Sequence, residues 1–132
     1  MLVITAKSAQ AVKALAELAR RGTAPVPIGD IAARREIPVQ FLESLFVTLR
    51  RAGVLQSQRG VKGGYSFARP PEDVTVLEVV ELLEGELGAG AGDAGEPWSE
   101  IAESVRSALA GTTIADVAQR EAQAAGAQMY WI

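Results

Sequence analysis

Apolar residues recur with helical spacing through the first half of the chain. Between Lys7 and Arg21, Val12, Leu15, Ala16 and Ala19 fall at i, i+3, i+4 and i+7, one face of an amphipathic helix, with Thr5 placed to cap its start and Gly22 to stop it. Thr23 to Pro27 contains two prolines, so the chain must run extended before a second helix opens near Ile28. Ile28, Ile31 and Ala32 supply that helix's inner face, and Ile37 with Pro38 marks its break. A third helix, Pro38 to Ala52, repeats the spacing with Leu42, Leu45, Phe46 and Leu49 and ends at Gly53. Proline is tolerated in a first helical turn because its missing N–H would have had no partner there. The other face of this helix carries Gln40, Phe41, Glu43, Ser44 and Thr48, which face either a groove or water.

The period then changes. Val54 to Gln58 reads as a strand, Arg59 to Gly64 as a turn, and Tyr65 to Ala68 as the returning strand, stopped by Pro70 and Pro71. Thr75 and Glu78 form a capping box ahead of Val76, Val79, Val80 and Leu83, which predicts a fourth helix to about Glu84, ended by Gly85. Residues 85–96, GELGAGAGDAGE, have no periodicity and read as a flexible loop. Pro97 restarts a helix whose stripe is Ile101, Val105, Ala108 and Leu109, and Thr113 with Asp116 starts a last one, Ile114 to about Ala125. A helix beyond a linker, with an apolar stripe and little to cover it, usually pairs with its copy in another subunit, so a homodimer is expected. Trp98, at the head of the stripe, belongs by the same argument to the dimer core rather than to an effector site.

The predicted architecture is mainly α with a small β-hairpin wing. Residues 1–84 form a winged helix-turn-helix, 85–96 a loop, and 97–132 the dimerisation helices and a C-terminal tail. A helix pair followed by the basic hairpin RGVKGGY makes double-stranded DNA the leading ligand. The net charge of -3 conceals a division that fits this. Residues 1–74 hold eleven Lys/Arg against six Asp/Glu, a balance of +5, and residues 75–132 hold two against ten, a balance of -8. Phosphate attraction depends on the local basic face rather than the sum. Candidate DNA contacts are Lys7, Pro38, Gln40, Phe41, Glu43, Ser44, Thr48, Arg50, Arg51, Arg59 and Lys62. Arg59 and Lys62 at the hairpin tip are phosphate contacts at the least, while Lys7 divides evenly between phosphate contact and plain surface.

The chain has no cysteine and no histidine. That removes disulfides, Cys/His metal sites, thiol nucleophiles and imidazole acid-base catalysis together. The carboxylates are spread along helices as solvated faces, so no enzyme, metal or cofactor is expected. No apolar run approaches the roughly 20 residues that span a bilayer, and MLVITAKSAQ lacks the pattern of a secretory leader. A cytoplasmic protein is expected.

With these elements in order, the chain resembles the Rrf-two family of bacterial winged-helix transcription regulators from about Ile4 to Val117. The resemblance rests on IPVQFLESLFVTLRRAGVL, then QSQRGVKGGYSFARPPEDVTVLEVVELLEG, and the later GTTIADV. It implies that the third helix enters the major groove, that Glu43 helps read bases and that Arg59 enters the minor groove from the wing. Both roles make physical sense. A carboxylate in a basic domain finds its useful targets in cytosine N4 donors or cationic side chains, and a narrow minor groove attracts an arginine. The chain departs from the family's pattern at Ala9 and Gln10, where Arg-Tyr is common, at Glu36, where Gly is frequent, and at Thr48, where many members have Arg.

The largest departure lies in residues 85–96. Members with an iron-sulfur cluster carry three cysteines there, and this chain has none, so a thiolate-held cluster is excluded by chemistry. The chain is similar instead to the cluster-free branch typified by the cysteine-metabolism repressor (CymR-type). That branch implies signalling through a complex with cysteine synthase, modulated by O-acetylserine. The ending MYWI is similar to that branch's aromatic-Ile ending, and capture of a terminal carboxylate is a known recognition mode. Tyr130, Trp131 and Ile132 are therefore a candidate docking tail, the alternatives being that this ending packs on the dimer or lies disordered. The expected protein is a homodimeric repressor on an inverted-repeat operator; the alternative is an adaptor that mainly binds cysteine synthase through this tail.

Overall fold

The computed structural model describes residues 5–85 and 97–130, the last four by backbone alone. Among the described residues, six helices and one antiparallel hairpin make up the fold: α1 Ala6–Arg20, α2 Ile28–Arg35, α3 Val39–Arg51, β1 Leu55–Gln58, β2 Gly64–Phe67, α4 Val76–Glu84, α5 Trp98–Ala110 and α6 Ile114–Tyr130. A single 3-10 turn, Pro71–Asp73, connects β2 to α4. No described helix is long and apolar enough to cross a membrane.

The helix starts follow local chemistry. Thr5 caps α1, its hydroxyl accepting from the Lys7 N–H. Thr113 and Asp116 form a complete capping box at α6, each side chain accepting the other's backbone N–H at 3.0 Å. At α4 only half of the expected box forms. Thr75 accepts from the Glu78 N–H at 3.1 Å, but the Glu78 carboxylate is turned to Arg69 instead of reaching back. The charged partner wins because charge-assisted bonds are the stronger ones.

The core is built on α3. Leu42, Leu45, Phe46 and Leu49 are all buried, together with Leu15 and Leu18 of α1, Ile31 and Ala32 of α2, and Val54 and Leu55 at the entry to the hairpin. On α1 the buried face is broader than the predicted stripe: Ala11, Ala14 and Leu18 are inside, while Val12 and Ala19 lie at its edge. Glu17, read from sequence as one of many solvated carboxylates, is also buried.

α6 extends past the expected end near Ala125 to Tyr130, and its start is sewn into the same core. Ile114 is fully buried, its N–H donates to the Val74 carbonyl at 2.8 Å, and the Val76 N–H donates to the Thr112 carbonyl at 2.8 Å. On α5 the buried residue is Ala102, and Leu109 packs on Leu77 and Val80 of α4. Trp98, Ile101 and Leu82 remain exposed. Of the predicted loop, residues 86–96 lie outside the described residues, as do Trp131 and Ile132.

Candidate nucleic-acid interface

The turn into α3 is set by Glu36, which adopts the left-handed conformation at φ 56° and ψ 46°. Its N–H still reaches the α2 carbonyls, closing that helix as a glycine would. Pro38 then stands extended in front of α3, at φ -58°, and its carbonyl accepts from the Leu42 N–H at 3.0 Å. The four buried apolar residues anchor one side of α3 and leave Gln40, Glu43, Ser44 and Arg51 on the opposite side, all exposed. Phe41 flanks that face and is 38% exposed.

Two hydroxyls on this helix have committed protons. Ser44 donates to the Phe41 carbonyl at 2.7 Å and Thr48 to the Ser44 carbonyl at 3.3 Å. Each oxygen therefore faces outward only as an acceptor, suited to the amino groups of adenine or cytosine rather than to base carbonyls. Thr48 is half-buried, which places it at the margin of the face.

The wing lies beside α3 because three contacts hold it there. Phe46 meets Tyr65 edge-on with ring centroids 5.0 Å apart. Val26 pairs with Tyr65 through two backbone hydrogen bonds of 2.9 and 2.8 Å, adding a third short segment to the hairpin. Arg50 Nη1 donates to Ser57 Oγ at 3.3 Å, so this arginine leans on the wing as much as it faces outward. The tip is closed by Gly63 N–H to the Gly60 carbonyl at 3.0 Å, and Arg59, Val61 and Lys62 are exposed upon it.

The structure thus brings Gln40, Phe41, Glu43, Ser44 and Arg51 together on α3, with Arg59 and Lys62 on the adjoining wing. Lys7 stands in a different cluster. Thr5 and Ser8 donate to Glu84 at the end of α4, and Lys7 is close enough to help hold that carboxyl below its ordinary range. Burial opposes this shift, and the hydrogen bonds from Thr5 and Ser8 outweigh it. No described hydrogen bond or ion pair joins Lys7 to α3 or to the wing. Val26, whose pairing holds the wing, went unremarked in the sequence; its signal was an apolar residue between Pro25 and Pro27 in a run that had to be extended. Val47 is also on the outer side of α3 by spacing, an apolar residue out of register with the core. The backbone of α6 reaches Tyr130; the rest of the candidate docking tail is outside the described residues.

A family model described as Rrf2, iron-dependent transcriptional regulator, matches residues 4–120. The chain belongs to the Rrf2 family. Its Rrf2 relatives include the HTH-type transcriptional regulator IscR of Cereibacter sphaeroides, 37% identical over 112 residues that cover 80% of this chain and 72% of the relative. The structure of CymR (YrzC), described as the global cysteine regulator of B. subtilis, superposes with a TM-score of 0.81 at 30% identity, covering 91% of this chain and 98% of that one. T. potens IscR superposes with a TM-score of 0.79 at 31% identity, covering 93% and 90%. The protein is thus a winged-helix DNA-binding regulator and not an enzyme.

The family's description names iron, and the donor set of this chain does not fit an iron-sulfur cluster. No thiolate and no imidazole exists in 132 residues. Among the described residues no three carboxylates stand together as a metal site.

Proposed function

We propose that the protein is a homodimeric repressor that reads an inverted-repeat operator and takes its signal without an iron-sulfur cluster. The observation that carries the reading is the exposed face of α3 set beside the cationic wing tip, on the half of the chain whose balance is +5. Gln40, Glu43 and the acceptor oxygen of Ser44 supply base readout in the major groove. Arg59 and Lys62 supply phosphate and minor-groove contacts that fix register. The exposed Trp98, Ile101 and Leu82 on α4 and α5, together with the exposed Ala122, Ala124 and Ala125 on α6, are the surface for the second copy. The similarity to B. subtilis CymR, together with the missing cluster ligands, supports cysteine or sulfur metabolism as the regulated pathway.

Sequencing the genomic fragments retained by the purified protein tests this directly. The expected result is a symmetric motif with half-sites about one helical turn apart, roughly 34 to 36 Å, upstream of sulfur-assimilation genes whose transcripts rise on deletion of the regulator. Enrichment of no symmetric motif would refute the operator reading, and falling transcripts would refute repression.

A further inference from the structure

Glu17 is the one buried carboxylate among the described residues, and its surroundings join three helices. Arg21 Nε donates to Glu17 Oε2 at 2.7 Å, and Arg35 Nε to Glu17 Oε1 at 2.9 Å. The other two nitrogens of Arg35 fork onto Glu121 of α6, Nη1 to Oε2 and Nη2 to Oε1, both at 2.8 Å. The Arg35 side chain is only 15% exposed, against 28% for Glu121. One guanidinium thereby binds α1 and α6 to the last residue of α2.

Such a network is a weak source of stability, since well-packed apolar residues of the same volume usually serve as well or better. What a two-pronged guanidinium-carboxylate pair supplies is fixed geometry. The place of Arg35 says which geometry. It immediately precedes Glu36, the left-handed residue that turns the chain into α3, so holding Arg35 holds the turn that aims the recognition helix. On the other side, Glu121 lies midway along α6, whose start is already tied to Val74 and Val76, and beyond it Ala122 to Ala125 are exposed.

We propose that Arg35 is a positioning residue: by forking onto Glu121 it locks the helix-turn-helix to α6 and so sets the half-site spacing that the dimer accepts. The proposal rests on the dimeric, operator-reading function above. In a rigid dimer a change of spacing misplaces one recognition helix and forfeits its base contacts, whereas a loosened joint lets each half find its own site.

The experiment measures affinity by fluorescence anisotropy on duplexes carrying the selected motif with its spacer shortened or lengthened by one or two base pairs, and on a single half-site. Wild type is expected to lose about tenfold or more in affinity away from its preferred spacing. Both Glu121→Gln and Arg35→Lys are expected to distinguish spacers by less than about threefold, and Glu121→Gln, which leaves the Arg35–Glu17 bond in place, to bind the single half-site as wild type does. Arg35→Lys keeps the charge but loses both the fork onto Glu121 and the Nε bond to Glu17, whereas Glu121→Gln, at a partly exposed position, removes only the α6 side of the joint, so one readout survives loss of the other. Spacer discrimination unchanged in both variants overturns the proposal while leaving the regulator reading intact. A wild-type protein that binds no inverted repeat overturns the reading itself and the proposal with it.

Discussion

Replacing Gly64 by alanine tests how the wing is held against the body of the protein. Gly64 opens β2 at φ +151°, a region that side chains other than glycine's seldom occupy. A Cβ built there stands 2.3 Å from both the carbonyl carbon and the oxygen of Val26, and 2.6 Å from the Pro27 nitrogen. These are backbone atoms between two prolines, so none can swing aside as a long side chain would. Ordinary contact begins at 3.4 Å, and the hairpin must therefore retreat by about 1 Å to admit the methyl group. That retreat breaks the two Val26–Tyr65 hydrogen bonds, each contributing about 1 kcal/mol. It adds backbone strain of about 1 to 2 kcal/mol and weakens the Phe46–Tyr65 edge contact, about 0.5 to 1 kcal/mol. The expected destabilisation is about 3 to 5 kcal/mol, a large part of the 5 to 15 kcal/mol typical of a domain. Urea unfolding should show a lower midpoint with an unchanged slope, and the folded fraction should bind operator DNA more weakly because Arg59 and Lys62 have lost their placement. An unfolding free energy within about 0.5 kcal/mol of wild type, with unaltered affinity, would refute the reasoning.

Other outcomes follow from single features. Glu36→Gly relieves the left-handed strain and should raise the unfolding free energy measured in urea by about 0.5 to 1 kcal/mol, DNA affinity being unchanged. Arg59→Ala should reduce the slope of log affinity against log salt by about 1, whereas Glu43→Ala should alter the preferred bases and leave that slope alone. The Arg35 hydrogen bonds hold the Glu121 carboxyl below its ordinary 4.5, with burial opposing; at Glu17 burial pushes upward but the bonds from Arg21 and Arg35 prevail. Both depressed acids contribute stability that is present above pH 4.5 and lost as pH falls through their lower folded values. Urea midpoints should thus fall on acidification below pH 4.5, less steeply in Glu121→Gln. A pull-down with cysteine synthase, run with and without residues 129–132, tests the candidate docking tail; equal capture by the truncated chain would end that reading.

By itself the sequence determined the presence of each described α-helix, the wing and the outward face of α3, because helix period, caps and turn residues act over a few neighbouring positions. It also determined that no thiolate-held cluster can form, since ligands that are absent need no geometry to exclude them. Only the tertiary structure decided the rest. Glu78 read as half of a capping box and Glu17 as any helical carboxylate, and the first lost its capping role to Arg69 while the second was buried under Arg35. The wing's attachment to Val26, the binding of Arg35 to Glu121 and the stitching of α6 to Val74 all join residues far apart in the chain. Spacing along one element shows which face a residue occupies. Which partner meets that face depends on how the helices pack, and there the two-pronged geometry of a guanidinium or the missing Cβ of Gly64 selects a single arrangement among those the hydrophobic pattern would allow.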